Sequence, residues 1–117
     1  MTKEDKSIIA DIGAYSKELH KLIPETMAGF SAMAKAATQT KVIDEKTKEM
    51  IALALGVAAH CDGCLGYHTK ALARLGATRE EVAEVLGMAI YMGGGGPSLM
   101  YAADALRSFD QFMQPQT

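Results

Sequence analysis

The chain is poor in the features that mark special environments. Two cysteines in 117 residues are too few for a stapled secreted scaffold, and they stand only two residues apart, in AHCDGCLGYH. No excess of one charge is present. Twelve basic and 14 acidic side chains are interspersed to a formal net charge of −2, which leaves no basic stripe for nucleic acid and no polybasic patch for a membrane surface. The first residues, MTKEDKSIIAD, alternate in charge and lack the apolar stretch of a secretion signal, so a cytoplasmic location with reduced thiols is expected. The uncharged run from Val85 to Ala103 is broken by GGGGP at a depth where lipid could not satisfy the backbone, so it reads as two helix ends and a loop.

Alternating strand patterns are absent too, and what remains is helical periodicity. Ile8, Ile12, Tyr15, Leu19 and Leu22 recur in steps of three and four, predicting a helix over about 6–23 that ends at Pro24. A second helix begins there, with Met27, Phe30, Met33 and Ala37 facing inward. Asp44 caps a third, whose segment from Met50 to Ala59 is apolar all round and so must be central or covered by another subunit. A fourth, from about Cys64 to Leu75, stops at Gly76. Thr78 and Glu81 match a capping box for a fifth, through Val82, Val85, Leu86, Ala89 and Ile90. The last follows GGGGPS and carries Met100, Ala103, Leu106, Phe109 and Met113. The expected fold is all-α, about six helices in a single domain over residues 1–117. Two of these helices are too apolar for an isolated monomer of this size, which points to an oligomer.

The paired thiols admit four explanations: a redox pair, half a zinc site, a structural disulfide, or chance. On a helix Cys61, Cys64 and His68 form one stripe. A CxxC at a helix start also meets unpaired N–H groups and the positive end of the dipole, which favour thiolate. A free thiol of pKa about 8.5 is roughly 3% ionised at pH 7, whereas about 6.5 gives about three quarters thiolate and requires about 2.7 kcal/mol. A helix end supplies roughly a third of that. His68 is therefore the candidate base and thiolate partner for Cys64.

Such a histidine needs a carboxylate on its other nitrogen. If the third and fourth helices form an antiparallel hairpin bending near Ala58 to His60, residues whose numbers sum to about 117 face each other, and Glu49 falls opposite His68. Ala52, Leu53 and Gly56 share its helix face, so this carboxylate needs a partner. Gly56 is expected to leave room beside Cys61. Zinc on Cys61, Cys64, His68 and either His60 or Glu49 is the alternative, but no second CxxC or HxxxH supplies the usual other pair. His20, among charged neighbours, is expected to be exposed and idle; Tyr67, Tyr91 and Tyr101 are expected in the core or a cavity wall. The glycine run lacks a phosphate loop's ending and reads as a tight connection.

The pattern Glu49, eleven residues, Cys61, two residues, Cys64, three residues, His68, with CDGCLGYHTKALARLGATREEVAEVL and the later GGGGP, resembles the redox branch of the alkylhydroperoxidase D and carboxymuconolactone decarboxylase superfamily over about residues 45–104. The resemblance implies a homotrimer or homohexamer, and a peroxiredoxin-type cycle in which Cys64 attacks a hydroperoxide or other small electrophile. Cys61 would then resolve the sulfenic acid as a disulfide, with Glu49 and His68 as the proton relay. No bound cofactor is implied. An external dithiol, of the lipoyl-bearing kind or another reductant protein, would restore the pair. Decarboxylating members lack the cysteine pair, which argues against lactone decarboxylation. One departure stands out: peroxidases of the family carry a further histidine directly before the second cysteine, where this chain has Gly63. His60 precedes the first cysteine instead, with no assigned role. The other function class is a non-enzymatic redox sensor, disulfide reductase or binding module using the same pair.

Overall fold

The structure is a computed structural model and describes residues 5–114; residues 1–4 and 115–117, counted into the domain from the sequence, lie outside the described residues. Six helices follow one another: α1 (Asp5–Leu22), α2 (Pro24–Thr38), α3 (Glu45–Ala58), α4 (Asp62–Arg74), α5 (Arg79–Met92) and α6 (Gly96–Met113). No strand occurs among the described residues, and the fold is all-α.

Local chemistry sets most of the boundaries. The Asp44 carboxylate accepts the Thr47 N–H at 2.9 Å to cap α3, and the Thr47 side chain, followed by this N–H, holds its pKa below the ordinary carboxyl value. Thr78 and Glu81 form the reciprocal capping box of α5, at 3.0 and 2.9 Å. The Thr78 N–H, and then the Lys46 ammonium, lower the pKa of Glu81. Pro24 and Pro97 sit in first turns, where the missing N–H is not needed. Two boundaries come earlier than expected: α6 begins at Gly96, inside the glycine run, and α4 begins at Asp62 with Cys61 as its cap, so the whole cysteine pair lies on the helix start.

Around α4 pack α1, α3 and α6, while α5 closes the other side of α3 and α6. Leu53 and Val57 of α3, Leu65 and Leu72 of α4, Val82 and Leu86 of α5, and Phe109 of α6 form the core. Each such side chain contributes about 1.5–3 kcal/mol by leaving water. A buried polar pair crosses this core. The Thr69 hydroxyl donates to Leu65 O at 2.6 Å, so at 2.7 Å it accepts from Ser108, tying α4 to α6.

Two expected faces are corrected. In α2 no side chain is fully buried: Met27 is half-buried, while Phe30, Met33 and Ala37 are exposed. The helix leans on α1 and α3 alone, so its apolar face meets no third surface of this chain. In α6 the inward face is Ser98, Ala102, Ala105, Ser108 and Phe109, whereas Met100, Ala103 and Met113 face out. Small residues won because they let α6 approach α4 and α5 closely, and a stripe of large side chains would hold it away. The all-round apolar α3 is central, yet it leaves Ile51 and Leu55 exposed.

Candidate functional site

The third and fourth helices form the antiparallel hairpin, and contacts along its length fix the register. At the open end Arg74 Nη2 meets Glu45 Oε2 at 3.0 Å. Midway, His68 Nδ1 meets Glu49 Oε2 at 2.7 Å. Near the bend α4 presses on Gly56, where an added Cβ would lie 2.8 Å from Cys64 Cβ. The residue opposite Gly56 is therefore Cys64, not the expected Cys61. Close approach of the helices requires the missing side chain at this point.

Glu49 is 7% exposed and its contact with His68 is short, as charge-assisted hydrogen bonds are. A carboxylate so placed accepts a proton-bearing Nδ1 and leaves Nε2 as the other face of the ring. His68 itself is partly open, its side chain 28% exposed, and it stands one turn beyond Cys64 on the same face of α4. The ring thus joins a buried acid to a surface that also carries sulfur.

Cys61 and Cys64 are bonded as a disulfide, with Cα atoms 5.3 Å apart. Their surroundings differ. Cys61 Sγ, at the cap position of α4, accepts the Cys64 N–H at 3.3 Å and sits at the positive helix end. Cys64 lies between the helices, against Gly56. In this oxidation state no three His, Cys, Asp or Glu side chains among the described residues converge as metal ligands.

Two neighbours of the site were not legible in the sequence. A Cβ at Gly63 would come within 2.7 Å of Ile12 Cδ1, the movable tip of an α1 side chain that covers this position. His60 is not helical: it has φ 55°, and its ring stacks on Tyr101 of α6 at 4.5 Å and 8°. Of the three tyrosines, Tyr101 is half-buried and Tyr67, though partly exposed, lines a groove with Ile9, Gly13 and Phe112, whereas Tyr91 is exposed, as is His20. Gly93 of the glycine run lines an apolar groove of about 250 Å³ with Ala54, Leu55, Ala58, Met88 and Met92, along the half of α3 that leads to the bend. No helix among the described residues is long and apolar enough to cross a membrane.

Against this geometry the comparisons with known proteins are specific. A sequence model described as the carboxymuconolactone decarboxylase family matches residues 24–108, from α2 to the late part of α6. The chain belongs to the carboxymuconolactone decarboxylase family. A crystal structure of a carboxymuconolactone decarboxylase family protein from Legionella pneumophila, in its apo form, is 53% identical and superposes with a TM-score of 0.90, covering 94% of this chain and 97% of that one. A Thermotoga maritima structure, 25% identical, reaches a TM-score of 0.72 over 81% of this chain and 88% of its own. An uncharacterized protein of Cupriavidus necator is 43% identical over 110 residues, 94% of this chain and 96% of its own length. Family membership names a shared fold, and the disulfide adds a redox-capable pair within it.

Proposed function

We propose that this member of the carboxymuconolactone decarboxylase family is a thiol-dependent oxidoreductase that reduces hydroperoxides. The observation that carries the reading is the buried Glu49 carboxylate bound to His68 at 2.7 Å, one helical turn from Cys64. A carboxylate buried against α4 gains nothing for stability that an apolar side chain would not supply, whereas it orients an imidazole for proton transfer.

In the proposed cycle the Cys64 thiolate attacks the terminal oxygen of ROOH. The O–O bond breaks, the alkoxide takes a proton from His68 and leaves as alcohol, and Cys64 becomes a sulfenic acid. Cys61 then attacks that sulfur, water leaves, and the observed disulfide forms. An external dithiol supplies two electrons and two protons to reopen it, so the sum is ROOH plus dithiol to ROH, water and disulfide. No lactone chemistry and no bound cofactor enter this scheme. The apolar groove along α3 suits the organic part of the peroxide. A lipoyl-bearing protein is the proposed reductant, a trimer or hexamer the proposed assembly, and the cytoplasm the proposed location.

The test is peroxide consumption with dihydrolipoamide, beside thiol alkylation against pH. Wild type should turn over steadily and alkylate rapidly at pH 7. His68→Ala should slow Cys64 alkylation at pH 7 by about tenfold and move the profile to higher pH, with Glu49→Gln following in the same direction. An unchanged profile removes the pair from its role. A single stoichiometric oxidation without turnover would make the protein a sensor.

A further inference from the structure

The bend that carries Cys61 is closed by a helix-ending motif with an uncommon residue at its critical point. The His60 N–H bonds Val57 O at 3.1 Å and the Cys61 N–H bonds Gly56 O at 3.0 Å, the two reversed bonds of a Schellman end. The residue between them must be left-handed, and it is His60, at φ 55°. The same motif ends α4, where the Gly76 N–H bonds Ala73 O at 3.3 Å and the Ala77 N–H bonds Leu72 O at 3.0 Å. There the left-handed residue is Gly76, at φ 80°, for which the conformation is free. The chain thus has glycine at the end far from the cysteines and a strained side chain beside them. Such strain persists when the surroundings hold it, and here the holder is visible: the imidazole lies flat on Tyr101 of α6.

We propose that His60 is a positioning residue for the thiol pair: stacked on Tyr101, it locks the α3–α4 bend so that Cys61 is presented to Cys64. The stack anchors the bend to α6, an element that otherwise has no part in the site. Cys61 follows His60 directly, and its backbone completes the motif, so the ring contact limits where Cys61 Sγ can go. Sulfur placement matters twice, for the cap contact with the Cys64 N–H and for closure of the disulfide. Closing a ring between two thiols depends on how often they already stand in reach, and a fixed bend raises that frequency. The inference rests only on the part of the proposed function in which the pair cycles between dithiol and disulfide.

The test is the equilibrium of the Cys61–Cys64 pair with dithiothreitol, without peroxide. In this exchange dithiothreitol gives two electrons and two protons, its own ring disulfide forms, and the protein disulfide becomes two thiols. His60→Gly keeps the left-handed backbone and removes the ring. It should lower the disulfide-to-dithiol ratio about fivefold, as should Tyr101→Leu, while the double variant should fall no further than either alone. His60→Phe, which keeps a flat ring, should restore the ratio. Thermal melts are run beside it, because a residue that only stabilises the fold would change the melting temperature and leave the ratio alone. A ratio within about twofold of wild type in His60→Gly overturns the proposal, as do additive losses in the double variant. If His60→Gly fails to fold, Tyr101→Leu and His60→Phe decide by the same criteria. Variants that show these shifts beside a wild type that consumes no peroxide sink the peroxidase reading and keep this one; a wild-type disulfide that dithiothreitol cannot open sinks the cycling and this inference with it.

Discussion

At the scale of single residues the site is a matter of contact distances. Gly56 is the clearest case, since a methyl group there would stand 2.8 Å from Cys64 Cβ, with helix backbone behind both atoms and no flexible side chain to yield. Gly56→Ala is therefore expected to destabilise by about 1–3 kcal/mol despite alanine's better helix propensity, read as a lower midpoint in urea. A midpoint at or above wild type would show that α4 is free to move off α3. Glu49 was readable from the sequence because an antiparallel hairpin relates positions by simple arithmetic, and its apolar helix neighbours marked it as buried. Ile12 beside Gly63, and Tyr101 beneath His60, were not readable. Both come from helices far away in the chain, and no local spacing connects them to the cysteines.

At the scale of elements, the ends and the faces of helices obey different rules. The α5 capping box is made within four residues, so Thr78→Ala should cost about 1 kcal/mol in chemical denaturation. Its acid partner sets a pH dependence. The folded-state pKa of Glu81 lies below its unfolded value, so its stabilisation is complete above the unfolded value and is lost as pH falls through the folded one. In Glu81→Gln the acid limb of the stability–pH curve should flatten while the neutral region keeps its shape; an acid limb identical to wild type would count against this. The α6 face gives a contrasting pair. Ala105 is completely buried, so Ala105→Leu should cost about 1–3 kcal/mol by overpacking. Met100 is 75% exposed, and Met100→Ala should stay within about 0.5 kcal/mol in a dilute monomer. The larger residue is the less important one here, the reverse of what its hydrophobicity implied.

At the scale of the molecule, the α1–α2 pair leaves Tyr15, Leu22, Phe30 and Met33 uncovered, and α3 adds Leu55. Large apolar side chains left in water in this number favour association. In the proposed assembly these side chains lie between subunits, so Phe30→Glu combined with Met33→Glu should lower the mass found by light scattering. An unchanged mass would place the contacts elsewhere, and a wild type that is already monomeric would remove the assembly from the proposal.

The sequence by itself determined the six helices, most of their ends, the capping pairs and the pairing of Glu49 with His68 across the hairpin. Those features arise from contacts within a few residues or between two adjacent helices running back along each other. Only the tertiary structure decided which face of α6 is buried, that α2 lies open, that Ile12 fills the space beside Gly63, and that His60 rests on Tyr101. Packing between distant helices selects side chains by the shape of the gap between them, and periodicity records hydrophobicity without recording the gap.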